Sequence, residues 1–394
     1  MKAGWQTSKL GEVLAVLRNG VNCKQDKSGN SDRISRIESI SDASFDLGKV
    51  GYAELSERDK ERYLLQPGDI LFSHINSAVH VGKTALFESS EPVYHGVNLL
   101  LMRPTEAVTS AYLNHALKFL FQSGYWRGVC KQSVNQASVN QQDISKVEIR
   151  YPKTLPEQQR IVGLLDEAFD GIATAKTNAD KNLQNARALF ESHLQSVFTQ
   201  RDKGWAETTL GKVCEFVGGS QPPKAVFSKS KNADNIRLIQ IRDYKSDGHV
   251  VYIPRAQARR FCNADDVMIG RYGPPLFQIM RGLEGAYNVA LMKAVPDESK
   301  LSRDFLFYFL KHSTILQYVI YHSERAAGQI GLTKETLEPY PIALPSLPVQ
   351  QTVVETITEL ETETQRLASL YERKLAALDA LKKSLLHQAF TGQL

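Results

Sequence analysis

The chain states one pattern twice, and this constrains its fold more than any single residue does. Gly4-Trp5, Leu10-Gly11 and Val13 return 200 residues later as Gly204-Trp205, Leu210-Gly211 and Val213. Leu155-Pro156-x-Gln158-Gln159 returns as Leu347-Pro348-x-Gln350-Gln351, at an offset of 192. That offset holds without a gap through the next segment, where Ser192, Leu194, Phe198 and Thr199 match Ser384, Leu386, Phe390 and Thr391. Such a duplication implies two similar modules related by pseudo-two-fold symmetry. Elsewhere the copies agree only in islands. Pro67-Gly68-Asp69-Ile70-Leu71 resembles Ala264-Asp265-Asp266-Val267-Met268, and Asn98 with Leu101-Met102 resembles Asn288 with Leu291-Met292. A shared scaffold with divergent loops fits that pattern, and loops are where two copies would recognise different things.

At 394 residues each half is long enough for its own core. No apolar run approaches the ~18 residues needed to span a bilayer, and no signal-peptide pattern opens the chain. Cys23, Cys130, Cys214 and Cys262 lie far apart and form no C-x-x-C pair. This argues against a zinc site or a disulfide framework and leads to the expectation of a reducing cytoplasm. A net charge of +5 permits nucleic-acid binding without requiring it.

Residues 156–199 and 348–391 read as two long helices. Each has a proline in its first turn, where the missing N–H costs nothing, and no other proline. Gly204 and Gly392 follow as stops. In the second helix Val353, Ile357, Leu360, Thr364, Leu367, Tyr371, Lys374, Leu378, Leu381 and Leu385 form a heptad stripe. In the first, the equivalent stripe is Ile161, Leu165, Ala168, Ile172, Ala175, Ala179, Asn182, Ala186, Leu189 and His193. At ~1.5 Å per residue each helix is a rod of roughly 65 Å. The two matched helices are each other's natural partners, so an antiparallel intramolecular pair is expected. Asn182, His193, Tyr371 and Lys374 read as polar positions that set its register.

The intervening stretches read as mixed α and β. Ile34–Ile37, Asp69–Phe72, Leu99–Met102 and Ile236–Ile241 are strand-like, while Ser110–Gln122 and Ser302–Gln317 read as helices opened by capping serines. The domain boundaries expected are 1–153 and 201–346 for the two similar modules, and 154–200 and 347–394 for the two long helices.

No catalytic constellation emerges. Gly82-Lys83-Thr84 ends like a phosphate-binding loop, but position 77, where its first glycine belongs, is Ser77. His74 and His80 stand six apart on a loop and read as surface or DNA-facing residues rather than metal ligands. Nucleic-acid contact has better support. The first half offers Lys24, Lys27, Arg33, His74, Asn76, Lys83, Lys131, Gln132, Asn135 and Gln136. The second offers Gln221, Lys224, Arg242, Arg271, Tyr272, Gln278, Arg325 and Gln329. Arg, Asn and Gln can read base edges bidentately, and Lys and Arg hold phosphates. Singly, each is an ordinary solvated loop residue. Their recurrence at parallel places in both halves is what singles them out.

Gly-Trp-x4-Leu-Gly opening each half, the Pro-Gly-Asp-Ile-Leu and Val81-Gly82-Lys83-Thr84-Ala85 islands, and Leu-Pro-x-Gln-Gln opening a helix that ends in Phe-Thr together resemble the DNA specificity subunits of type I restriction–modification enzymes. Val349 departs from the family's usual Glu, which Glu157 retains. The resemblance implies an α+β protein. Two mixed α/β target-recognition domains would be separated by two long helices in an antiparallel coiled coil with pseudo-two-fold symmetry. Each domain would read one half of a bipartite double-stranded DNA target. The helices would set the gap and dock two methylation subunits, with restriction subunits as further partners. No cofactor belongs to this chain. S-adenosylmethionine would sit on the methylation subunits, and the chain would be a non-catalytic subunit. Two alternatives stay open: the specificity subunit of a system with fused restriction and modification activities, and a coiled-coil scaffold that binds only protein.

Overall fold

The computed structural model describes residues 4–40, 44–133, 136–199, 204–324 and 331–394. The chain forms two compact units, one of Met1–Ala179 with Arg373–Leu394 and one of Asp180–Glu372.

The first unit contains β1 (Trp5–Lys9), β2 (Leu14–Asn19), β3 (Asp32–Ile34), β4 (Gly51–Ala53), α1 (Glu57–Tyr63), β5 (Ile70–Phe72), β6 (Ile75–Asn76), β7 (Thr84–Leu86) and β8 (Leu100–Pro104). After these come α2 (Ser110–Gln122), α3 (Tyr125–Val129), β9 (Lys131–Ser133), β10 (Gln136–Ser138), α4 (Gln141–Ser145), β11 (Glu148–Pro152) and the start of α5 (Leu155–Thr199). Its centre is a four-stranded antiparallel sheet in the order β2-β8-β5-β7. One face of that sheet, through Ile70, Phe72, Leu100 and Met102, shares a core with Tyr112, Leu113 and Leu117 of α2 and Ile161 and Leu165 of α5. Leu386, Ala389 and Phe390 of the C-terminal helix complete this core.

The second unit holds β12 (Ala206–Thr209), α6 (Leu210–Val213), β13 (Cys214–Gly218), β14 (Asn235–Ile239), β15 (Tyr252–Pro254), β16 (Phe261–Cys262), β17 (Val267–Gly270), β18 (Ile279–Met280), β19 (Gly285–Tyr287) and β20 (Leu291–Pro296). Then come α7 (Arg303–Lys311), α8 (Ser313–Glu324), α9 (Lys334–Leu337), β21 (Pro341–Leu344) and the start of α10 (Leu347–Thr391). Its sheet β13-β20-β17-β18 repeats the order of the first unit's sheet, and the pair β12–β21 repeats β1–β11.

Strand register corrects one of the sequence matches. Asn19 and Phe72 both pair with Leu100, whereas Gly218 and Ile269 both pair with Met292. Leu100 is therefore the counterpart of Met292, and the likeness of Asn98 to Asn288 is two residues out of register. The loops that follow β2 and β13 also correspond, each through a glycine, Gly20 and Gly219. A Cβ on Gly20 would lie 2.3 Å from the His95 carbonyl oxygen, and one on Gly219 would lie 1.9 Å from that of Asn288. Only glycine allows the loop to come so close to the neighbouring backbone.

The Leu-Pro-x-Gln-Gln motif fastens each long helix to its unit. Gln158 is fully buried. Its Oε1 accepts from the Thr109 N–H at 2.9 Å, and its Nε2 donates to the carbonyls of Ala107 at 2.9 Å and Pro152 at 3.0 Å. Gln350 does the same with the Ser302 N–H at 2.9 Å and the carbonyls of Lys300 at 2.7 Å and Pro345 at 3.0 Å. One amide thus satisfies three backbone groups that burial would otherwise orphan.

Within each unit the helices run antiparallel. In the first, the Lys382 ammonium lies 4.8 Å from the Phe169 ring centroid and Lys176 pairs with Asp379 at 2.8 Å. In the second, Arg187 pairs with Glu372 at 2.8 Å, while Phe190 shares a core with Ile357 nearer the start of α10. The strict heptad reading needs correction. Asn182, Leu189, Lys374 and Leu381 are exposed. The covered stripe runs Ile172, Ala175, Ala179, Leu183, Ala186, Phe190 in α5 and Thr364, Leu367, Tyr371, Leu375, Leu378, Lys382 in α10. One spacing of three becomes four at matching places in both helices. The local repeat becomes eleven residues over three turns, close to the natural period of a straight α-helix.

Two helix assignments also change. Thr109, not Ser110, caps α2 by accepting from the Tyr112 N–H. The single helix expected after Ser302 breaks at His312, whose Nδ1 accepts from the Ile315 N–H at 3.3 Å and so opens α8.

Candidate nucleic-acid interface

In the first unit the strand–helix core delivers a small three-stranded sheet in the order β6-β10-β9. Ala137 stands opposite Asn76 on one side and Gln132 on the other, so these three share one face; Gln136 and Ser133 form a pair on the opposite face. Ala137 is buried, whereas Lys131, Gln132 and Gln136 are exposed. Asn76 is half-buried, and its amide holds the Ser73 hydroxyl and the Ser77 N–H. Lys24 and Lys27 are exposed on the loop after β2. Half-buried Lys83 lies in the turn before β7. Its neighbour Gly82 is pressed against the buried Trp126 ring, where a Cβ would meet Cδ1 at 2.1 Å.

His74 faces inward, against the expectation of a surface histidine. It is 5% exposed, and its Nε2 lies 3.3 Å from the Asn19 amide nitrogen. Burial pushes its pKa down to about 4, so the ring is neutral near pH 7. Asn19 Nδ2 faces His74 Nε2, and the other ring nitrogen, Nδ1, is buried with no hydrogen-bond partner among the described residues. Gln141, at the start of α4, donates to Asn19 Oδ1 at 2.6 Å and closes the chain of three. Asn19 and Gln141 were not among the residues singled out from sequence, although Asn19 flanks the glycine loop. Arg33 is already engaged by Glu91. His80 is exposed.

In the second unit Gln221, Lys224 and Arg242 line one cleft of about 660 Å³, with Phe227, Gln240 and Asn288 among its walls. Phe227 and Gln240 were not singled out in the sequence, and Asn288 only as part of a repeat match. Asp243 accepts from the Gln240 N–H at 2.9 Å, and burial raises its pKa. Arg271 points elsewhere. Its Nε donates to the Leu332 carbonyl at 2.9 Å and its Nη1 to that of Val289 at 3.3 Å. Tyr272 packs on Gly331, where a Cβ would lie 2.4 Å from the ring, and Arg271 sits 5.4 Å from its centroid. Gln278 donates to the Pro275 carbonyl at 3.0 Å. Asn135, Arg325 and Gln329 lie outside the described residues.

Among the described residues no group of three or more His, Cys, Asp or Glu side chains could hold a metal ion, and no helix is long and apolar enough to cross a membrane. The four cysteines are free.

A duplicated α+β unit, joined through two long helices and carrying a different set of amides and cations in each copy, defines a two-module recognition protein. The model of the type I restriction modification DNA specificity domain matches this chain twice, at residues 2–183 and 202–372. The chain belongs to that family of specificity subunits and has two recognition domains. It is 27% identical over 417 residues to the putative type I restriction enzyme MjaX specificity subunit of Methanocaldococcus jannaschii, covering 99% of this chain and 93% of the relative. Two solved chains share the fold, each at 19% identity. One comes from a study of complex assembly and conformational transition of the type I system (TM-score 0.78, covering 100% of this chain and 99% of that one). The other is the HsdS subunit from Thermoanaerobacter tengcongensis (TM-score 0.62, covering 100% and 98%).

Proposed function

We propose that each unit of this specificity subunit reads one half of a bipartite duplex DNA target. The observation that carries this reading is one scaffold present twice with divergent polar surfaces. Lys131, Gln132 and Gln136 face solvent in the first unit, and Gln221, Lys224 and Arg242 share a cleft in the second. Amides suit base edges and the lysines suit phosphates. The chain takes no catalytic step and carries no cofactor. Two methylation subunits dock on it and bring S-adenosylmethionine, restriction subunits join that core, and the complex works in the cytoplasm. The length of the paired helices sets the gap between the half-sites. Exchanging residues 1–153 for another module is expected to change one half of the methylated motif only, read by methylation-sensitive sequencing. A change in both halves would defeat the two-reader model.

A further inference from the structure

The shared strand register aligns two pairs of side chains that differ in size. Counting on from Phe72 and Ile269, His74 occupies the place of Arg271, and Asn19 that of Gly218. The backbone agrees. The His74 carbonyl accepts from the Val139 N–H at 2.9 Å, and the Arg271 carbonyl accepts from the Leu332 N–H at 3.0 Å. Val139 and Leu332 each directly precede the N-cap of a short helix, Asn140 for α4 and Thr333 for α9. The next pair agrees as well: Ile75 stands opposite Ser138, and Tyr272 packs on Gly331.

We propose that Asn19 with His74, and Gly218 with Arg271, are one positioning device built in two sizes, which sets the segment entering α4 or α9 against the end of β2 or β13. In this device neither His74 nor Arg271 reads a base. The first unit fills the space with two short polar side chains: His74 Nε2 faces the Asn19 amide nitrogen, and Asn19 accepts from Gln141 at the start of α4. The second fills it with one long side chain, whose guanidinium bridges the carbonyls of Val289 and Leu332. That reach leaves room opposite for no more than a short side chain. A Cβ on Gly218 would stand 3.8 Å from Arg271 Nη1, in ordinary contact. The amide of an asparagine extends beyond that Cβ, into the space the guanidinium occupies. The members of each pair are therefore matched by volume. In the first unit the segment so placed follows directly on β9 and β10, which carry Lys131, Gln132 and Gln136.

This inference rests on the reading that each unit recognises its own half-site. The test uses the full chain assembled with its methylation partner, with the methylated motif sequenced and binding measured on duplexes altered in one half-site at a time. Gly218→Asn is expected to weaken discrimination in the second unit's half-site by roughly 5- to 100-fold, the scale of one misplaced base contact. His74→Arg is expected to do the same in the first unit's half-site. Asn19→Gly added to His74→Arg is expected to recover most of that loss, because it recreates the second unit's pair. The untouched half-site reports on folding in every case. A double variant no better than His74→Arg would overturn the device. So would loss of both half-sites together, or an Arg271→Ala variant that changes preference at a single base pair and nowhere else. If the module exchange already fails to separate the half-sites in the parent protein, the two-reader model falls instead.

Discussion

At the scale of single residues, the motif that repeats most faithfully is structural. Gln158 and Gln350 each satisfy three buried backbone groups, so their retention in both copies comes from helix docking rather than recognition. Gln158→Ala leaves an N–H and two carbonyls without partners. It is expected to cost roughly 3 kcal/mol or more, since three buried groups lose their partners at about 1–3 kcal/mol each. The neighbouring Gln159 is exposed, and its alanine variant is expected to change stability by under ~0.5 kcal/mol. Urea denaturation separates the two, and equal effects would contradict the latch. Histidines supply a pH dependence. Burial lowers the pKa of His74, His95 and His312 from 6.5 to about 4 in each case. Between those values the unfolded chain binds more protons than the folded one. Stability is therefore complete above the ordinary histidine pKa and falls as pH drops toward about 4. The urea midpoint at pH 5 is expected below that at pH 7; a midpoint no lower at pH 5 would show these rings are not buried neutral.

At the scale of elements, the long helices were legible down to their proline starts, and Gly392, at φ +80°, ends α10 as expected. The face they bury was not fully legible. A heptad rule extended past Ala179 and Tyr371 selects Leu189 and Leu381, which are 58% and 47% exposed. The eleven-residue step selects Phe190, which is buried. Leu189→Lys is therefore expected to be neutral within ~0.5 kcal/mol. Phe190→Ala is expected to destabilise by roughly 3–5 kcal/mol through the cavity it leaves. A large loss from Leu189→Lys would restore the strict heptad.

For the molecule as a whole, the proposed two-reader function makes recognition separable, with the helices coupling its parts. Inserting four residues after Ala186 lengthens α5 by ~6 Å and rotates the remainder of the helix by about 40°. This is close to two base pairs at ~3.4 Å each. The methylated motif of that variant is expected to keep both half-site sequences and widen its gap by about one or two base pairs. An unchanged gap with full activity would remove the helices as the ruler.

The sequence alone determined the two-module α+β plan, the matched long helices and the family resemblance. All of these depend on contiguous residues whose spacing survives along the linear chain. Tertiary structure decided which polar side chains are available. His74, Arg33 and Arg271 look like their solvent-facing neighbours in sequence. Each is engaged by a partner distant in the chain: Asn19, Glu91, and the carbonyls of Val289 and Leu332. Such pairing is decided by strand register and side-chain volume across the sheet, and neither has a local signature. The same reason explains the step in the helical stripe, because the face a helix buries is chosen by what it packs against.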